Sequence, residues 1–465
     1  MDFKIPLKVS RIIKKLRENG YEAYIVGGCV RDMCLGIEPE DWDITTSASP
    51  NEVKKLFRRT VDTGIEHGTV TVLIDKEQFE VTTYRIDGDY EDHRRPKNVS
   101  FTSSLREDLK RRDFTINAMA YNEEEGIVDE FAGIEDLKNK LIRCVGSPEE
   151  RFEEDALRIL RAFRFSAQLG FEIEESTLKA ATEKAYLLRN ISAERIRMEL
   201  NKLLISDHPE VLRDLYKGGI TSVILPEFDP MMETEQKNIH HIYNVGEHTI
   251  RTVSEVAGKL KEKSFTDHER SVLRWTMLLH DIEKPSTITL GEDGQNHFYG
   301  HQKLGAKTAK RILKRLKFDN DTIDKVVHLI TWHDYRFNLT AKGIRKATAK
   351  IGKEYMELLF EVNRADTSAK NPANMDEKYE ILSEAKRLYK EMLEEGSCVS
   401  LEDLDISGKD LIEHGYKQGK AMGELLNKLL NAVINDPKLN DKEILLNLAS
   451  EFSNKKSSHD SLEKQ

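Results

Sequence analysis

Two aspartates separated by one residue, Asp41 and Asp43 in DWDITT, follow closely on a glycine pair, Gly27 and Gly28, in YIVGGCVRDMCLG. Paired carboxylates aimed at one spot suit Mg²⁺, which takes hard oxygen ligands and binds through one or two carboxylates plus substrate phosphates. Glycines carry no Cβ, so backbone N–H groups can approach a triphosphate and the chain can turn with positive φ. Arg31, on the helix that the turn opens, adds charge-assisted hydrogen bonds to the same anion. The pattern predicts a strand over Ala23 to Val26, the turn, a short helix carrying Arg31 and Asp32, and a second strand bearing both aspartates on one face with Trp42 behind them. Each piece alone also reads as plain structure, a turn or a solvated loop. In this order they read as a phosphate cradle beside a metal site, and Glu80, in the strand-like run QFEVTTYR, offers that metal a third carboxylate.

Two further segments carry paired charges. In RRDFTINAMAY the alternation leads into an expected helix start, with Asp113 near its first turn; a helix cap by Asp113 with Arg112 in solvent is the structural alternative. A carboxylate there suits a ribose 2′-hydroxyl, which needs an acceptor to be told from hydrogen. Glu154, Asp155 and Arg158 are expected to open a long amphipathic helix whose apolar positions include Leu157, Leu160, Ala162, Phe163 and Leu169. Three residues apart, Asp155 and Arg158 share a helix face and can address one base edge. A carboxylate accepts the exocyclic amino group of cytosine or adenine, and a guanidinium donates to the ring nitrogen beside it. Such a pair selects C and A, because U or G leaves a buried charge unpaired. The other reading is an ordinary surface ion pair.

The second half holds His248, His280, Asp281, His301, His333 and Asp366, in the order H, HD, H, H, D. Imidazoles and carboxylates drawn from several helices can hold divalent metal that polarises phosphate and activates water.

These features are carried by a chain of 465 residues with 33% charged residues and a net charge of −10. That length implies two to four domains. Mean hydropathy is −0.57, and no apolar run approaches the roughly 18 residues of a membrane span. The N-terminus, MDFKIPLKVSRIIKKL, lacks a signal-peptide core. Cys29, Cys34, Cys144 and Cys398 show neither zinc spacing nor a disulfide framework, so a soluble, cytoplasmic protein is expected. The acidic net charge argues against a uniformly basic nucleic-acid binder, but a local stripe is enough to neutralise phosphates. Candidates are Arg94, Arg95 and Lys97, then Arg106, Lys110, Arg111 and Arg112, then Arg158, Arg161 and Arg164.

GGCVRDMCLG with DWDITT resembles the first motif of class II tRNA nucleotidyltransferases, the family of CCA-adding enzymes and bacterial poly(A) polymerases. RRDFTINAMAYN is similar to the family's second motif, EEDALRILRAFRFSAQLGF to its templating motif, and ERIRMELNKLL to the helix that follows. The resemblance implies that Gly27, Gly28, Arg31, Arg112, Asp113, Asn117, Asp155, Arg158, Arg161 and Arg164 bind the nucleotide. Arg112 would contact it directly, Asp113 its ribose and Asn117 the sugar or phosphate region. Asp155 and Arg158 would template the base, and Asp41 and Asp43 would hold catalytic Mg²⁺. The charged, glycine-containing stretch from Asp87 to Pro96, expected to be mobile, resembles the flexible loop of members that complete CCA. The H, HD, H, H, D series resembles the HD phosphohydrolase domain, a helical fold with one or two divalent metals; here Glu283 stands where that family commonly has glycine, and would crowd the site.

The expectation is therefore an α+β protein. A nucleotidyltransferase palm with a mixed or antiparallel sheet (1–145) precedes a helical neck (146–235), an HD domain (236–370) and a helical tail (371–452), with a disordered end from Ser453 to Gln465. The implied activity is template-free addition of C, C and A to the tRNA 3′ end from CTP and ATP, with the tRNA acceptor arm as partner and no membrane. An A-adding enzyme of a split CC/A system and a poly(A) polymerase share these motifs. A metal-dependent phosphohydrolase acting on nucleotides or RNA ends is the alternative of another class.

Overall fold

The structure is a computed structural model that describes residues 3–88, 90–91, 95–96, 99–237, 241–258 and 265–460. It packs as two compact units, one of residues up to Pro230 with Ile312–Phe318, the other of most of the chain from Met231 onward.

The first unit is built on a seven-stranded sheet. Its strands are β1 (Ala23–Val26), β2 (Ile44–Thr46), β3 (Thr60–Gly64), β4 (Thr69–Ile74), β5 (Glu77–Thr83), β6 (Ala120–Asn122) and β7 (Gly126–Val128), in the order β7-β6-β1-β2-β5-β4-β3. Strands β2 and β5 run parallel, and β1 is antiparallel to both β2 and β6. All four residues of β1, Ala-Tyr-Ile-Val, are buried, as expected of a central strand covered on both faces. The helix Leu7–Glu18 buries Val9, Ile12, Ile13 and Leu16, the one-sided spacing of an amphipathic helix. Pro50–Leu56 is fixed at its start by a capping box, Ser49 with Glu52, and by Pro50 in the first turn, which satisfies backbone donors the helix cannot.

Four expectations about local structure are corrected. The aspartates precede β2, because the ladder begins only where Ile44 finds Ile25 on one side and Val81 on the other; the backbone carbonyl of Asp43 still accepts the Val26 N–H at 3.0 Å. Residues Thr115–Asn117 make a single 3₁₀ turn that runs into β6, so DFTIN is not the start of a longer helix. The templating segment is broken: one helix, Pro148–Glu154, ends at Asp155, whose backbone is extended (φ −138, ψ 102), and the next runs Leu157–Leu169. The C-terminal helix continues to Asp460, so residues 453–460 are helical; a charged, serine-rich composition shows only that these residues have no core to join, and a helix already under way can extend through them. The last five residues of the expected disordered end lie outside the described residues.

Described parts of the expected mobile loop pair as short ladders, Arg85–Asp87 with Val99–Phe101 and Tyr90–Glu91 with Arg95–Pro96. Arg94 and Lys97 lie outside the described residues, and Arg95 is described by its backbone alone.

In the second unit the helices include Val245–Glu255, Asp267–Leu279, Asn320–Trp332 and Met356–Ser368, packed around Trp275, Leu278, Leu329 and Phe360. Two buried arginines do structural work there. Arg270 donates to the carbonyls of Ala257 (2.8 Å) and Gly258 (2.7 Å), and Arg274 to Gly258 (3.0 Å), groups just past a helix end that would otherwise lack partners. The C-terminal helices Gly408–Glu413, Lys420–Asn435 and Lys442–Asp460 share a core of their own around Leu411, Leu429, Val433 and Leu445. No helix among the described residues is long and apolar enough to cross a membrane.

Candidate active site and metal centre

Gly27 ends β1 with φ 82 and ψ −127, a conformation open to glycine and strained for other residues. A Cβ placed there would stand 2.9 Å from Nη1 of Arg112, whereas one at Gly28 would meet nothing nearer than Arg31 Nη2 at 3.7 Å. The turn thus lies directly against the second motif. Arg31 is fixed from two sides, donating to Asp32 Oδ1 and to Asn117 Oδ1, each at 2.8 Å. Asn117 donates to Asp113 Oδ1 (3.2 Å), and Arg161 donates to Asp113 Oδ2 (2.7 Å). Burial alone would raise the Asp113 carboxyl, but Arg161, Asn117 and Arg158 outweigh it and hold the pKa at about 2. Arg164, Arg31 and Arg161 lie over the Phe165 ring at 3.9, 5.1 and 5.3 Å, which keeps three guanidinium groups near one another. Six of the expected nucleotide-binding residues, Gly27, Arg31, Arg112, Asp113, Asn117 and Arg161, therefore converge.

Asp41 and Asp43 are exposed. The protein packed round Asp43 raises its carboxyl above the ordinary range, Arg112 opposes this, and Asp41 adds to it. Two carboxylates close enough for Asp41 to act on Asp43, beside one guanidinium, are a donor set that a divalent cation fits. Glu80 stands on β5 one residue before Val81, the partner of Ile44, and is exposed.

Asp155 and Arg158, the expected base-reading residues, each have partners of their own. Asp155 Oδ2 accepts from Arg195 at 2.7 Å and Oδ1 from the Leu157 N–H at 3.1 Å. Arg158 is buried, ion-paired to Glu154, and donates to the Arg111 carbonyl at 2.9 Å. The break at Asp155 removes the common helix face that a three-residue spacing would have given.

All six residues of the H, HD, H, H, D series meet in the second unit. His248 Nε2 lies 3.0 Å from Asp366 Oδ1 and 3.7 Å from Asp281 Oδ2. His280 Nε2 is 3.1 Å from Asp281 Oδ2, and His301 and His333 are 3.5 and 3.9 Å from Asp281 Oδ1. Asp281 is thus common to two triads, with His248 and His280 on one side and His301 and His333 on the other. Each imidazole directs Nδ1 at a backbone carbonyl, of Ala369 (3.1 Å), Met277, Phe298 and Ile330 (2.7 Å each). An Nδ1–H donated outward leaves Nε2 as a lone pair facing inward, the usual preparation of a metal-binding histidine. Burial lowers the pKa of His248 and His301, and burial with His280 lowers that of His333 to about 4. For His280 burial is outweighed by Asp281 and Asp366, and its pKa rises. His280 Nε2 and both Asp281 oxygens are buried without a hydrogen-bond partner, although Lys284 Nζ makes an ionic contact at 2.7 Å to Oδ2. Buried lone pairs of this kind need an explanation, and a divalent cation supplies one. Glu283 does not crowd the cluster: its carboxylate accepts from Thr308 and Ser286.

Residues 23–143 match the family model described as Poly A polymerase head domain, and 298–449 the model for tRNA nucleotidyltransferase domain 2. The CCA-adding enzyme of Ligilactobacillus salivarius is 36% identical over 454 residues, 97% of each chain. That of Enterococcus faecalis is 35% identical, over 96% of this chain and 95% of its own. This chain belongs to the CCA-adding enzymes. The crystal structure of the Bacillus stearothermophilus CCA-adding enzyme in complex with CTP superposes with a TM-score of 0.72 at 29% identity, covering 98% of this chain and all of that one. CCA-adding enzymes are metal-dependent, and this member has His and Asp groups disposed to hold metal.

Several residues that shape this family member's site were not read from the sequence. Asp108, fully buried, accepts from Arg111 (3.0 and 2.8 Å) and from Thr45 (3.2 Å), and lies 3.6 Å from Arg112. Glu199 lies 2.7 Å from Arg164 and 3.9 Å from Arg161. Lys370 pairs with Asp366. The three- and four-residue spacings of Asp108 to Arg111 and Arg112, and of Asp366 to Lys370, were the available signal. Glu199 and Arg195, distant in sequence from their partners, left none.

Proposed function

We propose that this chain adds C, C and A to the 3′ end of tRNA from CTP and ATP, without a nucleic-acid template, with the palm (1–145) and neck (146–235) forming the nucleotide pocket. The observation that carries this is the convergence of Gly27, Arg31, Arg112, Asp113, Asn117 and Arg161 beside Asp41 and Asp43. Gly27 and Gly28 leave room for phosphate, Arg31 and Arg112 face its charge, and Asp113, kept ionised by Arg161, is the acceptor for a ribose hydroxyl. Mg²⁺ held by Asp41 and Asp43, with Glu80 nearby, would supply charge stabilisation to the attacking and leaving oxygens. The protein itself contributes position and fixed charge. Asp155, oriented by Arg195, and Arg158, oriented by Glu154, are assigned to reading the base edge. A cytoplasmic location suits this work and the four free cysteines.

The test is extension of three tRNA transcripts, ending before CCA, after C and after CC, with CTP, ATP or both. Completion of all three to CCA, then arrest, is expected. Growth of only the CC-ended transcript would make this an A-adding enzyme, and long A tails a poly(A) polymerase.

A second activity is favoured by the His–Asp centre of residues 236–370. The shared, buried Asp281 carboxylate and four inward-facing Nε2 atoms suit one or two divalent cations, and such a centre serves phosphoester hydrolysis. Substituting His280 and Asp281 is expected to abolish phosphohydrolase activity and leave tRNA extension intact; substituting Asp41 and Asp43 should do the reverse.

A further inference from the structure

Basic residues are unevenly placed in the first unit. From Lys4 to Arg17 the chain carries six of them and no acidic residue, and from Pro50 to Arg59 four against Glu52 alone, in a protein whose net charge is −10. The two stretches form helices Leu7–Glu18 and Pro50–Leu56, which pack against each other. Lys15 lies over the Phe57 ring at 5.1 Å, so Arg11, one turn earlier on the same helix face, and Arg58, beside Phe57, share one surface. Some of the charges are answered: Lys8 by Glu77 (2.7 Å), Lys14 by Glu18 (3.9 Å) and Lys54 by Asp62 (2.8 Å). Arg11, Arg58 and Arg59 are exposed, and among the described residues none has a carboxylate partner.

This surface lies on the side of the sheet away from the proposed nucleotide pocket. In β1, Tyr24 and Val26 pack with Leu109, Ala118 and Val145, next to the second motif, since the Val145 N–H donates to the Asp113 carbonyl at 3.1 Å. Ala23 and Ile25 alternate to the opposite face. There Tyr121, the partner of Ile25, meets the ring of Phe3 at 5.1 Å, just ahead of helix Leu7–Glu18. A polyanion bound outside that helix therefore need not enter the pocket.

The surroundings narrow the kind of polyanion. An interfacial helix sinks its apolar face into lipid, but here Val9, Ile12, Ile13 and Leu16 are buried in the protein, and Leu7 is the only large apolar residue exposed on either helix. A protein interface would centre on aromatic and apolar side chains. Single-stranded nucleic acid is held by aromatic stacking, and the ring beneath Lys15, Phe57, is buried. What remains is charge without stacking or apolar contact, the footprint of a phosphate backbone.

We propose that the outer face of these two helices binds the phosphate backbone of double-helical RNA, at a site distinct from the pocket that takes the nucleotide. Recognition there is through shape and charge and carries no sequence preference.

Anisotropy titrations of the full chain with a labelled, blunt-ended RNA duplex, over a salt series, test this. In the triple variant Arg11→Gln, Arg58→Gln, Arg59→Gln the affinity is expected to fall about tenfold or more at about 50 mM salt, and the slope of log K against log[salt] to shrink by about 2–3. The matching lysine variants should keep both, because charge rather than side-chain shape is at work. CTP incorporation into tRNA should keep its kcat, and the melting temperature should not fall. An unchanged affinity and slope in the triple variant overturns the proposal. So does loss of binding to phosphatidylserine vesicles with duplex binding intact, which would make the face a lipid site.

Discussion

Replacing Gly27 with alanine probes the geometry that joins the first and second motifs. At φ 82 and ψ −127 an alanine is strained by about 1–3 kcal/mol. Its Cβ would also stand 2.9 Å from Arg112 Nη1, where ordinary contacts begin at 3.4 Å. The guanidinium must then retreat by about 0.5–1 Å, and a misplacement of ~1 Å in a positioning group costs about 100-fold in rate. Steady-state kcat/KM for CTP on tRNA lacking CCA, and for ATP on tRNA ending in CC, should both fall by about that factor, which corresponds to about 2.7 kcal/mol of lost transition-state stabilisation. The two nucleotides should suffer alike, because Arg112 is assigned to the part they share. Gly28→Ala is the control: it sits in a helix, its Cβ meets only Arg31 at 3.7 Å, and alanine is the better helix former by up to about 1 kcal/mol. It should melt no lower than the parent, so any loss of activity there reports on crowding of the triphosphate. Activity of Gly27→Ala within about threefold of the parent, or a loss confined to one nucleotide, would refute the reasoning.

Arg161→Ala removes the ion-pair partner of buried Asp113 and leaves it the Asn117 and Phe114 N–H hydrogen bonds, at a cost on the order of 3 kcal/mol near neutral pH. Because the Asp113 pKa is about 2 when folded and about 3.9 when unfolded, the stabilisation is complete above pH ~4 and is lost as pH falls toward 2. Melting curves of parent and variant should therefore be furthest apart at neutral pH and converge below pH ~4; a gap independent of pH contradicts the assignment. Arg195→Ala frees the carboxylate it holds at 2.7 Å and should relax discrimination against UTP by roughly tenfold, read as misincorporation on tRNA lacking CCA. Unaltered selectivity would detach Asp155 from base reading. Glu283→Gly should leave Mn²⁺ binding unchanged in a titration and lower stability by about 1 kcal/mol through the lost Thr308 hydrogen bond; lost Mn²⁺ binding would instead make Glu283 a ligand.

How much of this was legible beforehand depended on whether the information was local. Helix Leu7–Glu18 and strand β1 follow from apolar spacing, and the glycine turn from the need for positive φ at Gly27. The residues from His248 to Asp366 could be expected to form one centre, although widely spaced along the chain, because their types and order resemble a known series whatever the path between them; the structure brings them together. Tertiary structure decided the rest. Where β2 begins depends on when Ile44 meets Ile25 and Val81, which the strand's own residues do not record. Asp155 and Arg158 look paired from a three-residue spacing, yet the helix breaks between them and each finds a partner through packing, Arg195 for one and Glu154 for the other. Glu199 carries no local signal in the chain and becomes a support of the proposed nucleotide pocket only when folding buries it against Arg164. Residue type and period fix which groups can do chemistry; which charges meet is set by burial, since a carboxylate removed from water must take whichever cation the fold brings to it.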